Sequence, residues 1–484
     1  MTRGTPKRLA MRGRVVFRVR AGEDPQGIPD HADVAHGMAQ PLLRFDGGTV
    51  ERVLRRFSPA MAIARVFPSA STGGRIGAPS AGWDDIEVAT GMSRTFRADV
   101  DPDVDLPALV KALASLDVVE MASPHFLCEI GRPVAEAAAT RGRGDLFYGQ
   151  EMIGAREALR REPGDTALIV AVVDSGVDLE HPEFEGRLRP GIDAVHLPLE
   201  RMARWVKVKR DRSWTRGEPR DDMGHGTACA GIIGARGRRI PVGLAGAARL
   251  LPVRALVGAR VVGRDALTAI GAIPDIDAGV KRAIDLGARV FNLSFGTPET
   301  ALDSGDPEPH VDVVRYALAR GCILVAASGN TGDHVRYFPA ALPGVVAVGS
   351  IGRDGTPSRF TTRGAHVAVM APGENIPSVA IGGYQRNSGT SFAAPFVTAA
   401  CALLVARAAR GSFPLDGALA RRLLQDSARP FGKAVDAEGC GTGILDVPRA
   451  LALLEQLLDA DGGPNAGDFA SDPFSKGDVR HVAA

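Results

Sequence analysis

Short apolar runs recur along the middle of this 484-residue chain, and they restrict its possible folds more than any other feature. Runs rich in β-branched residues are typical of strands that are buried on both faces of a sheet. They occupy positions 167–173, 251–256, 290–295, 323–327 and 345–348. Helical patterns lie between them at 277–286 and 311–320. This alternation predicts an α/β fold built on a doubly wound parallel sheet.

Three polar residues lie where the ends of such elements are expected. Asp174 directly follows the first predicted strand, and ligands bind beyond the carboxyl ends of parallel strands. His225 lies in a Gly-His-Gly-Thr sequence, and Ser391 precedes a long apolar stretch. Each motif alone also has an ordinary explanation as a turn or a helix cap. Together they predict a nucleophilic hydrolase, because a histidine oriented by a carboxylate can take the serine proton.

The surrounding sequence resembles the subtilisin-like serine peptidases from about residue 147 to about residue 454. The motifs that carry the resemblance are Asp-Ser-Gly at 174–176 with His-Pro at 181–182, His-Gly-Thr-Ala-Cys-Ala-Gly at 225–231, Ser-Gly-Asn at 328–330, Met-Ala-Pro-Gly at 370–373 and Gly-Thr-Ser-Phe-Ala-Ala-Pro at 389–395. The resemblance implies a serine endopeptidase that acts on polypeptides. It assigns Asp174, His225 and Ser391 to the catalytic triad.

The resemblance also implies the residues around that triad. Asn330 and the Ser391 backbone amide would bind the oxyanion, at the N-terminus of a helix. The implied substrate-binding residues are Ser294, Phe295 and Gly296 on one side of a cleft, Ala255 and Leu256 on the other, and Ala327, Ser328 and Gly329 in the pocket for the residue before the cut. An extended peptide would add as a strand within this cleft. The small residues of the pocket wall predict a roomy, apolar pocket.

Two other activities remain open. The same triad could pass its acyl group to an amine, which would make the protein a peptide cyclase or transpeptidase. Alternatively, the protein could be a peptide-binding pseudoenzyme. The mass of the product separates the first from hydrolysis, and a fluorophosphonate label on Ser391 would exclude the second.

No metal site is predicted and no cofactor is required. Many relatives bind calcium after the histidine motif, but the sequence Arg-Gly-Arg-Arg at 236–239 offers guanidinium groups, which cannot ligate a hard cation. Calcium stays possible elsewhere, although no site is readable. The basic segment 195–221 also contains two tryptophans, a mixture that can bind nucleic acid. A solvated loop, or a clamp on a prosegment or acidic substrate, is the preferred interpretation.

The length predicts two domains and a tail, at 1–145, 146–460 and 461–484. The pattern strand-helix-strand-strand-helix-strand in the first predicts an N-terminal α+β ferredoxin-like domain. By resemblance it would be a prodomain that aids folding and inhibits the enzyme, with an unrelated accessory domain as the alternative. Self-processing is expected between residues 130 and 147. The tail is expected to be disordered.

Composition adds an expectation about location. The net charge of +2 predicts no strong polyanionic partner. The first 20 residues lack the apolar region of a signal peptide, and no apolar run is expected to span a membrane. The five cysteines have no metal-type spacing. These features predict a cytoplasmic protein, with secretion by a non-standard route as the alternative.

Overall fold

The computed structural model describes residues 9–130, 146–203, 205–209, 217–262 and 267–460. Most of the expected processing segment, residues 131–145, lies outside the described residues. The expected disordered tail, 461–484, also lies outside them.

The N-terminal part, residues 9–130, is a layer of helices on an antiparallel sheet. Its elements are β1 (Ala10–Val19), α1 (His31–Ala35), α2 (Thr49–Phe57), β2 (Ala62–Arg65), α3 (Asp85–Ala89), β3 (Thr95–Asp99), α4 (Leu106–Ala114) and β4 (Val119–Glu129). The strands are ordered β2-β3-β1-β4. Helices α2 and α4 bury Leu54 and Leu109 against Phe17 and Phe96 of the sheet. Apart from the short α1 and α3, this is the element order predicted from the sequence.

The remaining elements follow in chain order. They are α5 (Tyr148–Met152), α6 (Ala155–Arg161), β5 (Ile169–Asp174), β6 (Ile192–Asp193), β7 (Val206–Val208), α7 (His225–Gly234), β8 (Arg249–Arg254), β9 (Val257–Val261), β10 (Thr268–Ala272), α8 (Ile273–Asp285), β11 (Val290–Leu293), β12 (Thr297–Pro298), α9 (Val311–Ala319), β13 (Ile323–Ala327), β14 (Tyr337–Phe338), β15 (Val346–Ile351), β16 (Val367–Pro372), β17 (Ile376–Ala380), β18 (Gly383–Asn387), α10 (Thr390–Arg410), α11 (Gly417–Ser427) and α12 (Val447–Ala460).

A parallel sheet with strand order β16-β15-β13-β11-β5-β8-β6 forms the centre of this second part. All five strands predicted from apolar runs belong to it. Helices cover both faces of this sheet, and this explains why the apolar runs do not alternate with polar residues. Val170 and Val172 of β5 pack in the same core cluster as α7 and α10, while Ala171 and Val173 pack in the cluster that contains α8 and α9. Both faces are therefore buried.

Helix α10 passes through the centre of the larger core cluster. Its 21 residues include an 18-residue window with a mean hydropathy of 1.8, so the helix is long and apolar enough to cross a membrane by length and composition alone. The prediction that no apolar run has this length was therefore wrong. However, 83% of its apolar window is buried inside the protein, as expected for a core helix.

The N-terminal part and the second part share one sheet. Strand β4 pairs antiparallel with β10, so that the order β2-β3-β1-β4 continues as β10-β9-β7. Helix α8 follows β10 directly and contacts both β4 and the central strand β5. This arrangement places the end of β4 beside the carboxyl ends of the parallel strands.

Candidate active site

The end of β5 and the start of α7 bring Asp174 and His225 together. Nδ1 of His225 lies 2.8 Å from Oδ1 and 3.0 Å from Oδ2 of Asp174. Gly226 permits this approach, because a Cβ there would lie 2.9 Å from the Asp174 Cβ and 2.2 Å from a backbone oxygen. Burial alone would lower the pKa of His225, but the Asp174 carboxylate outweighs it and raises that pKa well above its ordinary value.

Asp221, which the sequence analysis did not identify, fixes the start of α7. Its carboxylate accepts hydrogen bonds from the backbone amides of Met223, Gly224 and Thr227. It also accepts one from the Ser175 hydroxyl at 2.8 Å, which joins the loop after Asp174 to the start of α7. Asp221 lies three residues before the N-cap Gly224, outside the position at which a capping side chain is expected, so the local capping pattern did not predict this role.

Ser391 is the second residue of α10 and is 5% exposed. The preceding Gly389 has φ 149° and ψ 159°, a conformation open to glycine. The Ser391 hydroxyl donates to the backbone oxygen of Ser294 at 3.3 Å. The described hydrogen bonds do not join it to the His225 ring, so it must turn towards that ring to be activated. Such contacts often tighten only when substrate binds.

The Cys229 thiol lies close to both Ser391 and His225. Its Sγ lies 3.3 Å from the backbone oxygen of Ser391 and 4.0 Å from Nδ1 of His225. Asp174, His225 and Cys229 also have potential metal-ligand atoms within 4.8 Å of one another. Burial raises the pKa of the Cys229 thiol, which disfavours the thiolate that a metal requires.

The loop after β13 brings Asn330 next to the start of α10. Oδ1 of Asn330 accepts hydrogen bonds from the backbone amide of Thr390 at 2.8 Å and from its hydroxyl at 2.9 Å. With its oxygen engaged in this way, the carboxamide has its NH₂ group as the donor for an oxyanion at Ser391. The wall residues Ala327, Ser328 and Gly329 lie in the same stretch, and the Gly329 amide donates to the Thr390 hydroxyl at 3.3 Å.

The segment with Ser294, Phe295 and Gly296, which was predicted as one side of the cleft, lies next to Ser391. The Ser294 hydroxyl donates to the backbone oxygen of Ser391 at 2.9 Å. Gly296 forms an antiparallel bridge with Glu129 of β4. Phe295 between them is 3% exposed, and its ring centre lies 5.6 Å from that of His310.

Ala255 and Leu256, which were predicted on the other side of the cleft, lie between Asp174 and β10. Ala255 and Leu256 are buried, and their amides donate to the backbone oxygen of Asp174 at 2.8 and 3.1 Å. A Cβ added to Gly271 of β10 would lie 2.8 Å from Cδ2 of Leu256, so the Leu256 side chain packs against β10. The chain folds back after these two residues as the antiparallel pair β9–β10, which places β10 opposite Gly296. The sequence analysis missed β10.

The end of β4 lies in this cleft. Leu127, Cys128 and Glu129 pair with β10, and the Ile130 amide donates to the Ala269 oxygen at 2.9 Å. Glu129 also bridges Gly296 on the opposite side. The N-terminal part thus contributes an extended strand between the two edges, which is how a peptide substrate was predicted to bind.

Arg201 of the basic segment 195–221 forms hydrogen bonds with the N-terminal part. The Arg201 guanidinium donates to the backbone oxygens of Gly13 and Val100, each at 2.8 Å. This contact fits the interpretation of the segment as a clamp on a prosegment. Arg204, Arg210, Arg212, Trp214 and Arg216 lie outside the described residues.

The loop after α7 does not fit a calcium ion. The fully buried Glu183 carboxylate accepts hydrogen bonds from the backbone amides of Gly237, Arg238 and Arg239 at 2.8 to 3.0 Å. Burial raises the pKa of Glu183, but these amides outweigh it and lower that pKa. Because the loop turns its N–H groups inward onto a carboxylate, it does not present the oxygen ligands that calcium needs.

Comparison with known proteins agrees with this architecture. The model of the Subtilase family matches residues 165–443, which is more than half of the chain. A thermophilic serine proteinase of Bacillus sp. (strain AK1) is 32% identical over 314 residues, which cover 63% of this chain and 67% of that relative. Thermitase of Thermoactinomyces vulgaris is 33% identical over 261 residues, which cover 54% of this chain and 82% of thermitase.

Among solved structures, that of the prenylagaramide maturation protease PagA is similar, with a TM-score of 0.50 and 28% identity. The similarity covers 62% of this chain and 98% of that protein. The family match and the relatives agree with the motifs from which a peptidase was predicted. The chain therefore belongs to the subtilase family and is a subtilisin-like serine endopeptidase.

Proposed function

We propose that Asp174, His225 and Ser391 form the catalytic triad, with Asn330 and the Ser391 amide as the oxyanion donors. The observation that carries this proposal is the 2.8 Å pairing of His225 with Asp174 beside Ser391. His225 takes the hydroxyl proton while the Ser391 oxygen attacks the peptide carbonyl, and Asp174 stabilises the imidazolium. The imidazolium then protonates the departing amine, and water releases the acyl group by the same steps in reverse.

We also propose that the domain 1–145 is an inhibitory prosegment of the peptidase domain 146–460. The bound β4 strand supports this proposal, because it takes the place of a substrate. Ion pairs between helix α8 and the N-terminal part also support the proposal. Lys281 Nζ lies 2.7 Å from the Glu87 carboxylate, and Arg282 lies 3.1 Å from Asp30. Lys281 and Glu87 are both fully buried, and separating them takes the cation away from Glu87, whereas Lys281 keeps the Asp285 carboxylate at 2.8 Å.

The strand register suggests where the chain is cut. Glu129 is opposite Gly296, and antiparallel partners change by one residue in opposite directions. In a peptide bound in the same register, the residue two positions after the one opposite Gly296 would face Ser294, whose backbone oxygen is bonded to the Ser391 hydroxyl. The proposed cut therefore follows Gly131, within the interval expected from the sequence.

The test compares the wild-type chain with Ser391→Ala, and with Ser388→Ala as a nearby serine control. We expect a fluorophosphonate to label Ser391 in the wild type and in Ser388→Ala, and both chains to process to a new N-terminus at Arg132. Ser391→Ala should be neither labelled nor processed. A common mature N-terminus in all three would contradict self-processing. Peptide products lacking the added water would indicate amine capture instead of hydrolysis.

We further propose that the protein works in a reducing compartment such as the cytoplasm. The support is that Cys128, Cys229, Cys322, Cys401 and Cys440 are all buried and unpaired. Cell fractionation of the source organism tests this location, and recovery of the protein outside the cell would contradict it.

A further inference from the structure

Tyr337 at the start of β14 lies between two glycines of the candidate active site. A Cβ added to Gly329 would lie 2.8 Å from Cδ2 and 2.9 Å from Cε2 of the Tyr337 ring. A Cβ added to Gly296 would lie 3.3 Å from Cδ1 and 3.4 Å from Cβ of the same side chain. The tyrosine therefore extends from one glycine to the other, and it is only 9% exposed.

The same two glycines flank the place of the residue before the cut. Gly329 directly precedes the oxyanion donor Asn330, and Gly296 lies two residues after Ser294, which contacts Ser391. A carbonyl attacked by Ser391 has to lie near both segments, since the nucleophile and the oxyanion donor act on one carbonyl group. The side chain on that residue is therefore directed towards the space that the Tyr337 ring borders.

The backbone holds this tyrosine in position. Tyr337 pairs with Pro298, and Phe338 pairs with Thr297, across β12 and β14. The Ala341 amide donates to the Tyr337 backbone oxygen at 2.8 Å. Moving the ring out of the space requires either a new rotamer in a crowded site or the loss of these backbone hydrogen bonds.

We propose that Tyr337 closes the pocket for the residue before the cut, so that the enzyme cleaves polypeptides after glycine, alanine or serine. This inference rests on the proposed triad and names its substrate class. This preference replaces the roomy pocket predicted from the small wall residues, because the Tyr337 ring, from the segment that follows Asn330, takes up the space that they leave. The proposed self-processing cut is consistent with this preference, because the residue before it is Gly131.

The experiment uses the self-processed full chain and peptides that differ only in the residue before the cut. In the wild type we expect kcat/KM for alanine to exceed that for phenylalanine by roughly 100-fold or more, since a single misfitting methylene already changes it roughly 10- to 200-fold. Tyr337→Gly should raise kcat/KM for the phenylalanine peptide at least roughly tenfold. Tyr337→Phe is the conservative control and should keep the preference for alanine, because its ring remains.

Titration of Ser391 with a fluorophosphonate gives the concentration of active sites in each variant. A wild type that is fully labelled but cleaves after phenylalanine as fast as after alanine overturns the inference, and this result needs no variant. An unchanged ratio in labelled Tyr337→Gly also overturns it. A wild type without label on Ser391 would refute the triad, and the inference would fall with it.

Discussion

Two buried histidine–aspartate sites in this protein have opposite electrostatics. In the candidate active site, one carboxylate, Asp174, faces one ring, His225. At the boundary with the N-terminal part, one carboxylate, Asp275, is shared by several histidines. Oδ1 of Asp275 lies 3.3 Å from Nε2 of His31 and 3.9 Å from Nε2 of His125, and Oδ2 accepts the His196 backbone amide at 3.2 Å. The His196 ring packs edge-on against the rings of His31 and His36.

The pKa shifts follow from this sharing. Burial lowers the pKa of His125 well below its ordinary value, and the charges of Arg14 and Arg97 lower it further. Burial also lowers the pKa of His196, and the attraction of Asp275 does not compensate for it. In His225, by contrast, the undivided attraction of Asp174 outweighs burial. A buried histidine gains a proton readily only when it has a carboxylate largely to itself.

The two sites also differ in which parts of the chain they join. Asp174 and His225 both belong to the peptidase domain. His31, His36 and His125 belong to the N-terminal part, whereas His196 and Asp275 lie on the other side of the boundary. The shared cluster therefore exists only while the two parts are docked, and its protonation affects docking instead of chemistry.

Replacing each aspartate by asparagine tests the comparison most strongly. Asp174→Asn should lower kcat by about 10⁴-fold, because an amide keeps the shape but supports the wrong tautomer of His225. The same substitution at the other site, Asp275→Asn, should leave kcat of the processed enzyme nearly unchanged. Both are measured with an alanine peptide and normalised to fluorophosphonate-reactive sites. Equal losses in the two variants would show that the sites do not differ in function.

The residues at element ends could be predicted from the sequence. Asp174 follows a strand that is visible as an apolar run, and Ser391 precedes a helix that is visible by its composition. These residues belong to local motifs, and the order of the motifs points to one chemistry. The same holds for the N-cap of α4, where the Asp105 side chain accepts the Ala108 amide. Local signals of this kind survive in the sequence because the element itself requires them.

Contacts between distant segments could not be predicted in this way. Tyr337 approaches Gly296 and Gly329 from a separate strand, and no local pattern records that approach. Strand β10 was not predicted, because the turn that brings it to the cleft lies further along the chain than the local motifs. The meeting of the histidines with Asp275 likewise depends on docking of the two parts.

Acid should weaken docking of the N-terminal part. The free parts take up protons on His125 and His196 below about pH 6.5, whereas the docked state holds both rings neutral until a lower pH. The free state therefore binds more protons in that range, and docking weakens about tenfold per extra proton and pH unit. We expect affinity at pH 5 to be at least about tenfold lower than at pH 8. Co-elution of the two fragments after processing and fluorophosphonate treatment measures it.

Other charges at this boundary do not reverse the effect. Burial raises the pKa of Asp275, but the hydrogen bond from His31 and the neighbouring cations lower it overall, so the carboxylate stays charged from pH 5 to 8. Burial lowers the pKa of Arg97 only to about 10, so it stays charged as well. The double variant His125→Gln and His196→Asn should flatten the pH dependence, whereas exposed His334→Gln should not. Identical pH dependence in all three proteins would refute the role of the cluster.

The fall of kcat/KM at low pH, which is the acid limb of the pH–rate profile, is the smallest effect that we expect from the comparison. His225 must be neutral to accept a proton, so kcat/KM falls as the pH falls through the pKa of its ring. Since Asp174 raises that pKa against the opposing effect of burial, the midpoint of the limb in the processed wild type should lie above 6.5. Water that enters after the N-terminal strand leaves weakens both effects, but it leaves the pairing with Asp174 in place.

Two variants separate the neighbours that act on the ring. Asp174→Asn should move the limb of its residual activity down to about 6.5 or below, since the partner that raises the pKa is lost. Cys229→Ala should move it less, because the Cys229 thiol is 4.0 Å from Nδ1 and burial keeps it protonated. The profiles are recorded with the alanine peptide from pH 5 to 10. A wild-type midpoint at or below that of Asp174→Asn would mean that burial governs His225 as it governs His125, and the contrast between the two sites would disappear.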